Sequence, residues 1–204
     1  RFAFCFPDVY EVGMSHLGMK ILYHLLNSRE DIWCERVFAP WDDFEALLRQ
    51  HNLPLYALES GDPIHTFDLI GFTLQYEMCY TNVLNMLELG HVPVLAADRG
   101  EGDPFVCAGG PCAYHAEPLA PFIDFFILGE GEEVNLEIMD VYAAWRKEGG
   151  SREDYLKAIA KIEGIYVPQF YDVTYHSDGT VQSVTPNREG IPAKVKKRII
   201  RDLD

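Results

Sequence analysis

Four short segments gather the residues of this chain that could hold a ligand. Gly13, Ser15 and His16 follow the first apolar run, and Thr73, Leu74, Gln75 and Tyr76 follow the third. Gly109, Gly110 and Pro111 follow the fourth, and Gly129 and Glu130 follow the fifth. Their chemistry is that of contact. A hydroxyl, an amide and an imidazole offer hydrogen bonds. Tyr76 and Tyr80 offer faces to a flat ligand, and the paired glycines leave room for a ligand body against the backbone. No nucleophile stands with a base and an orienting group, so no catalytic residue is assigned. Cys112 and His115 are three apart in a loop and are not read as a catalytic pair. Cys5, Cys34, Cys79, Cys107 and Cys112 make no Cys-x-x-Cys, and no metal ligand set is assigned. Three carboxylates in Glu130, Glu132 and Glu133 argue against phosphate at that helix start and for compensation of its dipole. The spacing is not Gly-x-Gly-x-x-Gly, so the dinucleotide fingerprint is absent.

The elements that must position these segments alternate in type. Apolar runs predict strands over 2–6, 34–38, 68–74, 105–108 and 125–128. A helix is expected from about residue 14, with Ser15 as N-cap and Leu17, Ile21 and Leu25 as its buried face. Others are expected over 41–50, from Tyr80 to a terminating Gly90, and along the stripe Val134, Ile138, Val141 and Trp145. Short extra strands are expected at 55–58 and 93–96. The alternation predicts an α/β fold, a flavodoxin-like (Rossmann-like) doubly wound parallel sheet of about five strands. Ligands of such sheets bind beyond the carboxyl ends of the strands, where all four segments fall.

Gly149-Gly150 ends this unit, giving an expected domain over 1–148 and an appendage over 149–204. The appendage opens with a helix capped by Ser151, with an acidic first turn, that stops near Gly164. Alternation at Tyr171, Val173 and Tyr175, the Asp178-Gly179 turn and a return over 181–185 predict a β-hairpin. The tail from Pro186 is expected to be extended and to lead onward.

The bulk numbers fit that plan. The 204 residues are 48% hydrophobic and 24% charged, enough for one sizeable core and an appendage. The net charge is -15. Its basic cluster, Lys194, Lys196, Lys197, Arg198 and Arg201, is confined to the tail, which argues against nucleic acid on the main body. No apolar run approaches a membrane span, and no signal peptide is visible. Scattered, odd-numbered cysteines fit reduced thiols and a cytoplasmic location. Both ends read as interior to a longer chain.

Taken together, the segments 7–18, 38–41, 70–77, 108–111 and 128–133 are similar to the N-terminal region of bacterial cobalamin-binding-domain radical SAM proteins. They read Pro-Asp-Val-Tyr-Glu-Val-Gly-Met-Ser-His-Leu-Gly, Phe-Ala-Pro-Trp, Ile-Gly-Phe-Thr-Leu-Gln-Tyr-Glu, Ala-Gly-Gly-Pro and Leu-Gly-Glu-Gly-Glu-Glu. The resemblance covers roughly residues 1–190. It implies a cobalamin-binding-type domain in front of a radical SAM barrel of the same chain. That barrel would hold a [4Fe–4S] cluster on Cys-x-x-x-Cys-x-x-Cys and cleave S-adenosylmethionine. The three-cysteine motif does not occur here, so this stretch is not expected to be catalytic alone. Cobalamin mutase domains carry Asp-x-His-x-x-Gly, whose histidine ligates cobalt. Here Asp8 is followed by Val9 and Tyr10, and His16-Leu17-Gly18 does not restore the motif. Cobalamin would be held without an axial histidine, by the loops alone. Thr73 stands where the mutase-type pattern has a small hydroxyl residue, and Gly109-Gly110 match its paired glycines. The alternatives are a docking domain that has lost cobalamin and, more weakly, a free-standing nucleotide binder.

Overall fold

The structure, a computed structural model, describes residues 1–200. Arg201 of the basic cluster and the last three residues of the tail lie outside the described residues.

Period-two alternation builds the sheet. In β1 (Phe2–Phe6), Phe2, Phe4 and Phe6 join one core, and Ala3 and Cys5 join the other. β3 (Leu69–Thr73), β4 (Phe105–Gly109) and β5 (Phe125–Ile127) repeat the division. Leu69, Phe105, Cys107, Phe125 and Ile127 lie on the first face, and Ile70, Phe72, Val106, Ala108 and Phe126 on the second. Strands covered on both faces must be apolar throughout. With β2 (Cys34–Phe38) they pair in parallel in the order β2-β1-β3-β4-β5. This is the expected flavodoxin-like order. After a short α1 (Tyr10–Gly13), α2 (Leu17–Asn27), α5 (Glu132–Glu148) and α6 (Arg152–Ile159) cover the first face. α3 (Asp42–His51) and α4 (Tyr80–Leu89) cover the second.

A sixth strand, β6 (Ile165–Tyr166), pairs antiparallel with β5, so part of the expected appendage completes the sheet. Two residues give no periodicity to read. The hairpin of β7 (Tyr171–Tyr175) and β8 (Val181–Pro186) forms as expected.

Several local expectations are corrected. Ser15 does not cap α2; its Oγ donates to Glu11 O at 2.8 Å. His16 is the N-cap, its Nδ1 accepting from the Met19 amide at 3.2 Å. Leu17 and Ile21 are 68% and 45% exposed, and the buried residues of α2 are Met19 and Leu26, with Leu22 and Tyr23 packed beside them. Both stripes have helical spacing, so period alone does not choose between them. Gly90 has φ -75, and the left-handed residue is His91 at φ 56. Gly90 is small because a Cβ there would run into the Ile64 side chain.

Segment 55–58 forms one isolated bridge, Tyr56 to Pro63, instead of a strand. Its Leu58 amide donates to Arg36 O at 2.8 Å, while both oxygens of Glu59 bind Arg36. Asn27 likewise exchanges two 3.0 Å hydrogen bonds with the Cys34 backbone. The outer edge of β2 is thereby blunted against pairing with another chain. Segment 93–96 leads into a 3-10 turn, Ala96–Asp98, and is not a strand.

An ionic knot ties the opposite end of the sheet. Asp124 is 4% exposed. Its Oδ2 accepts from Arg99 at 2.9 Å, Arg152 at 3.2 Å and the Val106 amide at 2.7 Å. Burial pulls the Arg99 guanidinium down, against the raising effect of Asp124. The Arg152 guanidinium also lies 4.0 Å from the centre of the Phe105 ring. α6 starts on Ser151, the expected N-cap, which forms a full capping box with Asp154. Ser151→Ala is expected to cost about 1 kcal/mol in urea denaturation. A change below about 0.3 kcal/mol would mean that the cap is redundant.

Candidate functional site

Strand register makes a hollow at the carboxyl edge. Phe4 pairs with Gly71 and Gly71 with Cys107, while Thr73 pairs with Gly109. All of these lie on the first face. Gly109 omits a side chain that would enter the space between the sheet and helices α2 and α5, whereas the place of a Gly71 side chain is taken by the Phe2 ring, 2.5 Å from where its Cβ would stand. A cavity of about 240 Å³ results, with Phe2, Phe4, Leu22 and Ile127 as apolar walls. Gly18 and Gly131 bring the two helix starts close to it, and Asn135 lines it from α5. No charged side chain lines it among the described residues. Burial pushes the Cys107 thiol well up, so it is not a nucleophile there.

A polar chain crosses the mouth. The ring Nδ1 of His16 accepts from the Met19 amide, which places the proton on Nε2. Nε2 then donates to Gln75 Oε1 at 3.1 Å, and Gln75 Nε2 donates to Thr73 Oγ1 at 2.6 Å. The Thr73 hydroxyl keeps its own proton free to donate. Asn135 Nδ2 donates to Gly131 O at 2.6 Å, leaving its Oδ1 as an acceptor. The cavity thus has an apolar body with one donor and one acceptor. Both nitrogens of His16 are engaged, so it offers no free lone pair to a metal. His16→Ala is expected to cost about 1 kcal/mol of stability by loss of the cap. A thermal melt checks it, and an unchanged midpoint would contradict the capping role.

The structure gathers His16, Thr73, Gln75, Gly109, Gly110, Pro111 and Gly129 around this one cavity. The other candidates do not line it. Gly13 is buried under Phe38 and Phe6, where a Cβ would clash. Ser15 is exposed. Leu74 is fully buried and acts through its backbone, its amide donating to Gly109 O at 2.7 Å and its carbonyl accepting from Cys112 N at 3.1 Å. Tyr76 points to Asp8, whose carboxylate accepts from its hydroxyl and pushes the phenol up to about 12. Tyr80 ties its hydroxyl to Cys112 O at 3.0 Å. Glu130 is exposed and accepts from the Ile200 amide.

The tail does not simply run onward. Arg198 N donates to Leu128 O at 2.8 Å, and Glu130 N donates to Arg198 O at 3.2 Å, a parallel bridge beside Gly129. The Arg198 guanidinium reaches Glu133 and Glu137, each at 2.6 Å. Gly129 has φ +112, and a Cβ there would collide with the Arg198 backbone. Gly110, at φ +94, would place a Cβ 2.8 Å from Leu74 O. Both glycines are therefore required by close approach of this chain itself, whereas a Cβ on Gly109 would meet Ile127 at an ordinary 3.5 Å. Gly129→Ala is expected to loosen the tail. Trypsin cleavage after Lys194, Lys196 and Lys197 should then speed up several-fold, and unchanged protection would contradict the close approach.

Sequence reasoning missed Gly71, Gly18 and Asn135. A glycine inside the buried strand sequence Ile70-Gly71-Phe72 was the available signal.

The family model for the N-terminal region of radical SAM proteins matches residues 18–168. The chain belongs to that family. An uncharacterized protein of Methanocaldococcus jannaschii is 29% identical over 143 residues, 68% of this chain and 26% of that protein. The chain thus spans about a quarter of the length of this curated relative. The radical S-adenosylmethionine methyltransferase TsrM of Kitasatospora setae, solved with cobalamin and a [4Fe–4S] cluster bound, gives a TM-score of 0.48 at 14% identity. The match covers 97% of this chain and 29% of the methyltransferase. The same enzyme with tryptophan substrate and a SAM analogue gives 0.46 at 16% identity, over 96% and 35% of the two chains. Among the described residues no helix is long and apolar enough to cross a membrane.

Proposed function

We propose that this radical SAM N-terminal domain holds a cofactor of the cobalamin class, with one neutral side group of it entering the cavity between the sheet and helices α2 and α5. The carrying observation is the uncharged hollow left open at Gly109, with the Thr73 hydroxyl and Asn135 amide at its wall. Its volume, about 240 Å³, lies below the roughly 300–1,000 Å³ of pockets that enclose a whole ligand. It suits part of a ligand whose bulk stays outside. When bound, such a cofactor supplies one-carbon transfer chemistry. The chain's own part is to bind and orient. Apolar walls exclude water from the side group, Thr73 donates to it, Asn135 accepts from it, and Gly109 leaves it room. No axial histidine is supplied, because His16 is spent on the α2 cap and on Gln75.

The iron–sulfur cluster, S-adenosylmethionine and the radical step belong in this proposal to a downstream barrel of the parent protein. The tail passing along the same edge as the cavity supports that arrangement. A cytoplasmic location, read from five unpaired buried cysteines, belongs to the same proposal. Hydroxocobalamin added to this chain and to the full-length protein tests it. A saturable shift of the visible spectrum with calorimetric heat supports the reading, and neither signal with either protein overturns it.

One observation favours a second reading, a docking domain without cofactor. The Arg198 backbone already occupies the edge beside Gly129. Here the hairpin β7-β8, whose Tyr175, Val181 and Val184 are exposed, would contact the downstream domain. Phe170 O and Asn187 N are joined at 2.9 Å beneath it, so residues 171–186 can be excised with a short linker. Loss of association in a pull-down with the downstream part supports docking, and unchanged association removes it.

A further inference from the structure

On the second face of the sheet, a larger concavity of about 510 Å³ lies between the 3-10 turns after β4, strand β6, the hairpin and the tail. Its size falls in the range of sites that take a whole small ligand. The hairpin and tail that wall it lie beyond the residues matched by the family model. It is separate from the cavity under Gly109.

Its lining is aromatic with one fixed charge. Tyr114, Tyr166 and Tyr171 contribute rings, and Tyr166 and Tyr171 have their centroids 5.2 Å apart. The two inner tyrosines are held in place. Tyr171 donates its hydroxyl to Pro192 O at 2.8 Å, and Tyr166 donates to Glu117 Oε1 at 2.6 Å. Burial, then this carboxylate, raises the Tyr166 phenol, so it stays a donor. Glu117 is the one carboxylate of the wall, and its Oε2 has no partner among the described residues. Among the described residues no lysine or arginine lines the concavity. His115 also lines it, with its Nδ1 turned to Glu77 at 3.3 Å.

We propose that this concavity binds a small organic cation with an apolar shell, such as a quaternary ammonium group, on the tyrosine rings and the Glu117 carboxylate. Ring faces attract cations through their quadrupole, and a weakly hydrated cation loses little on leaving water. The carboxylate adds charge complementarity without a competing internal cation. Fixed tyrosines need little ordering when the ligand arrives.

Choline and its uncharged carbon isostere, dimethylbutanol, are the probes, read by amide NMR shifts of this chain. Choline should saturate shifts at Tyr114, Glu117, Tyr166 and Tyr171, with the isostere about tenfold weaker. Glu117→Gln keeps an oxygen for Tyr166 and removes the charge, and should weaken choline by about tenfold while leaving the isostere unchanged. Tyr114→Ala, at an exposed position, should also weaken choline. Equal affinity for the two probes, shifts centred elsewhere, no saturation, or Glu117→Gln binding choline as before would each overturn the proposal.

Discussion

Asp124→Ala is expected to destabilise the fold by about 3–5 kcal/mol, because it leaves two buried guanidinium groups without their counter-charge. Arg99 and Arg152 both close on Asp124 Oδ2, and the Val106 amide donates to the same atom. The Arg99 side chain is 0% exposed, so water cannot replace the carboxylate there. For a chain of this size each kcal/mol moves the thermal midpoint by about 2–4 °C, giving a fall of about 6–20 °C. Asp124→Asn retains an accepting oxygen and should lose less. Urea denaturation of the three proteins checks the order. A loss below about 1 kcal/mol for the alanine variant would show that the arginines find other acceptors.

Gly109→Val should weaken hydroxocobalamin binding by about 10- to 100-fold while leaving the fold intact. Its Cβ would stand 3.5 Å from Ile127 Cβ, an ordinary contact, and its methyl groups would enter the cavity. Overfilling a packed space costs about 1–3 kcal/mol, and 1.4 kcal/mol is a factor of ten in affinity. Gly110→Val is the contrasting variant. Its positive φ and the nearby Leu74 backbone make it a fold mutation, so its thermal midpoint should fall. Binding by Gly109→Val at the original affinity would place the cofactor elsewhere.

The strands were legible because a sheet covered on both faces needs continuous apolar runs, and these stand out against polar loops. Their carboxyl ends carried the candidate site with them. Geometry between distant residues was not legible. Leu17, Ile21 and Leu25 have the same helical spacing as a buried stripe, and only packing against Phe2, Phe4 and α5 selects Met19, Leu22 and Leu26 instead. β6 has two residues, too few for a period. Gly129 was visible as a glycine, but the backbone it admits belongs to Arg198, 69 residues later, and no local pattern announces that partner. The hollow needed Thr73 and Gly109 on adjacent strands and one face, which register decides. Asp124 reads as an ordinary strand-start acid until Arg99 and Arg152 fold onto it.

The central claim is that the cavity under Gly109 receives a side group of a cobalamin-class cofactor. The most direct measurement compares hydroxocobalamin with cobinamide, which has the same corrin ring but lacks the nucleotide tail whose neutral benzimidazole base is the side group in question, by spectral titration of the full-length protein. The account predicts saturable binding of hydroxocobalamin and at least about tenfold weaker binding of cobinamide, the side group being worth 1.4 kcal/mol or more. Equal affinity for the two, or binding of neither, would contradict it.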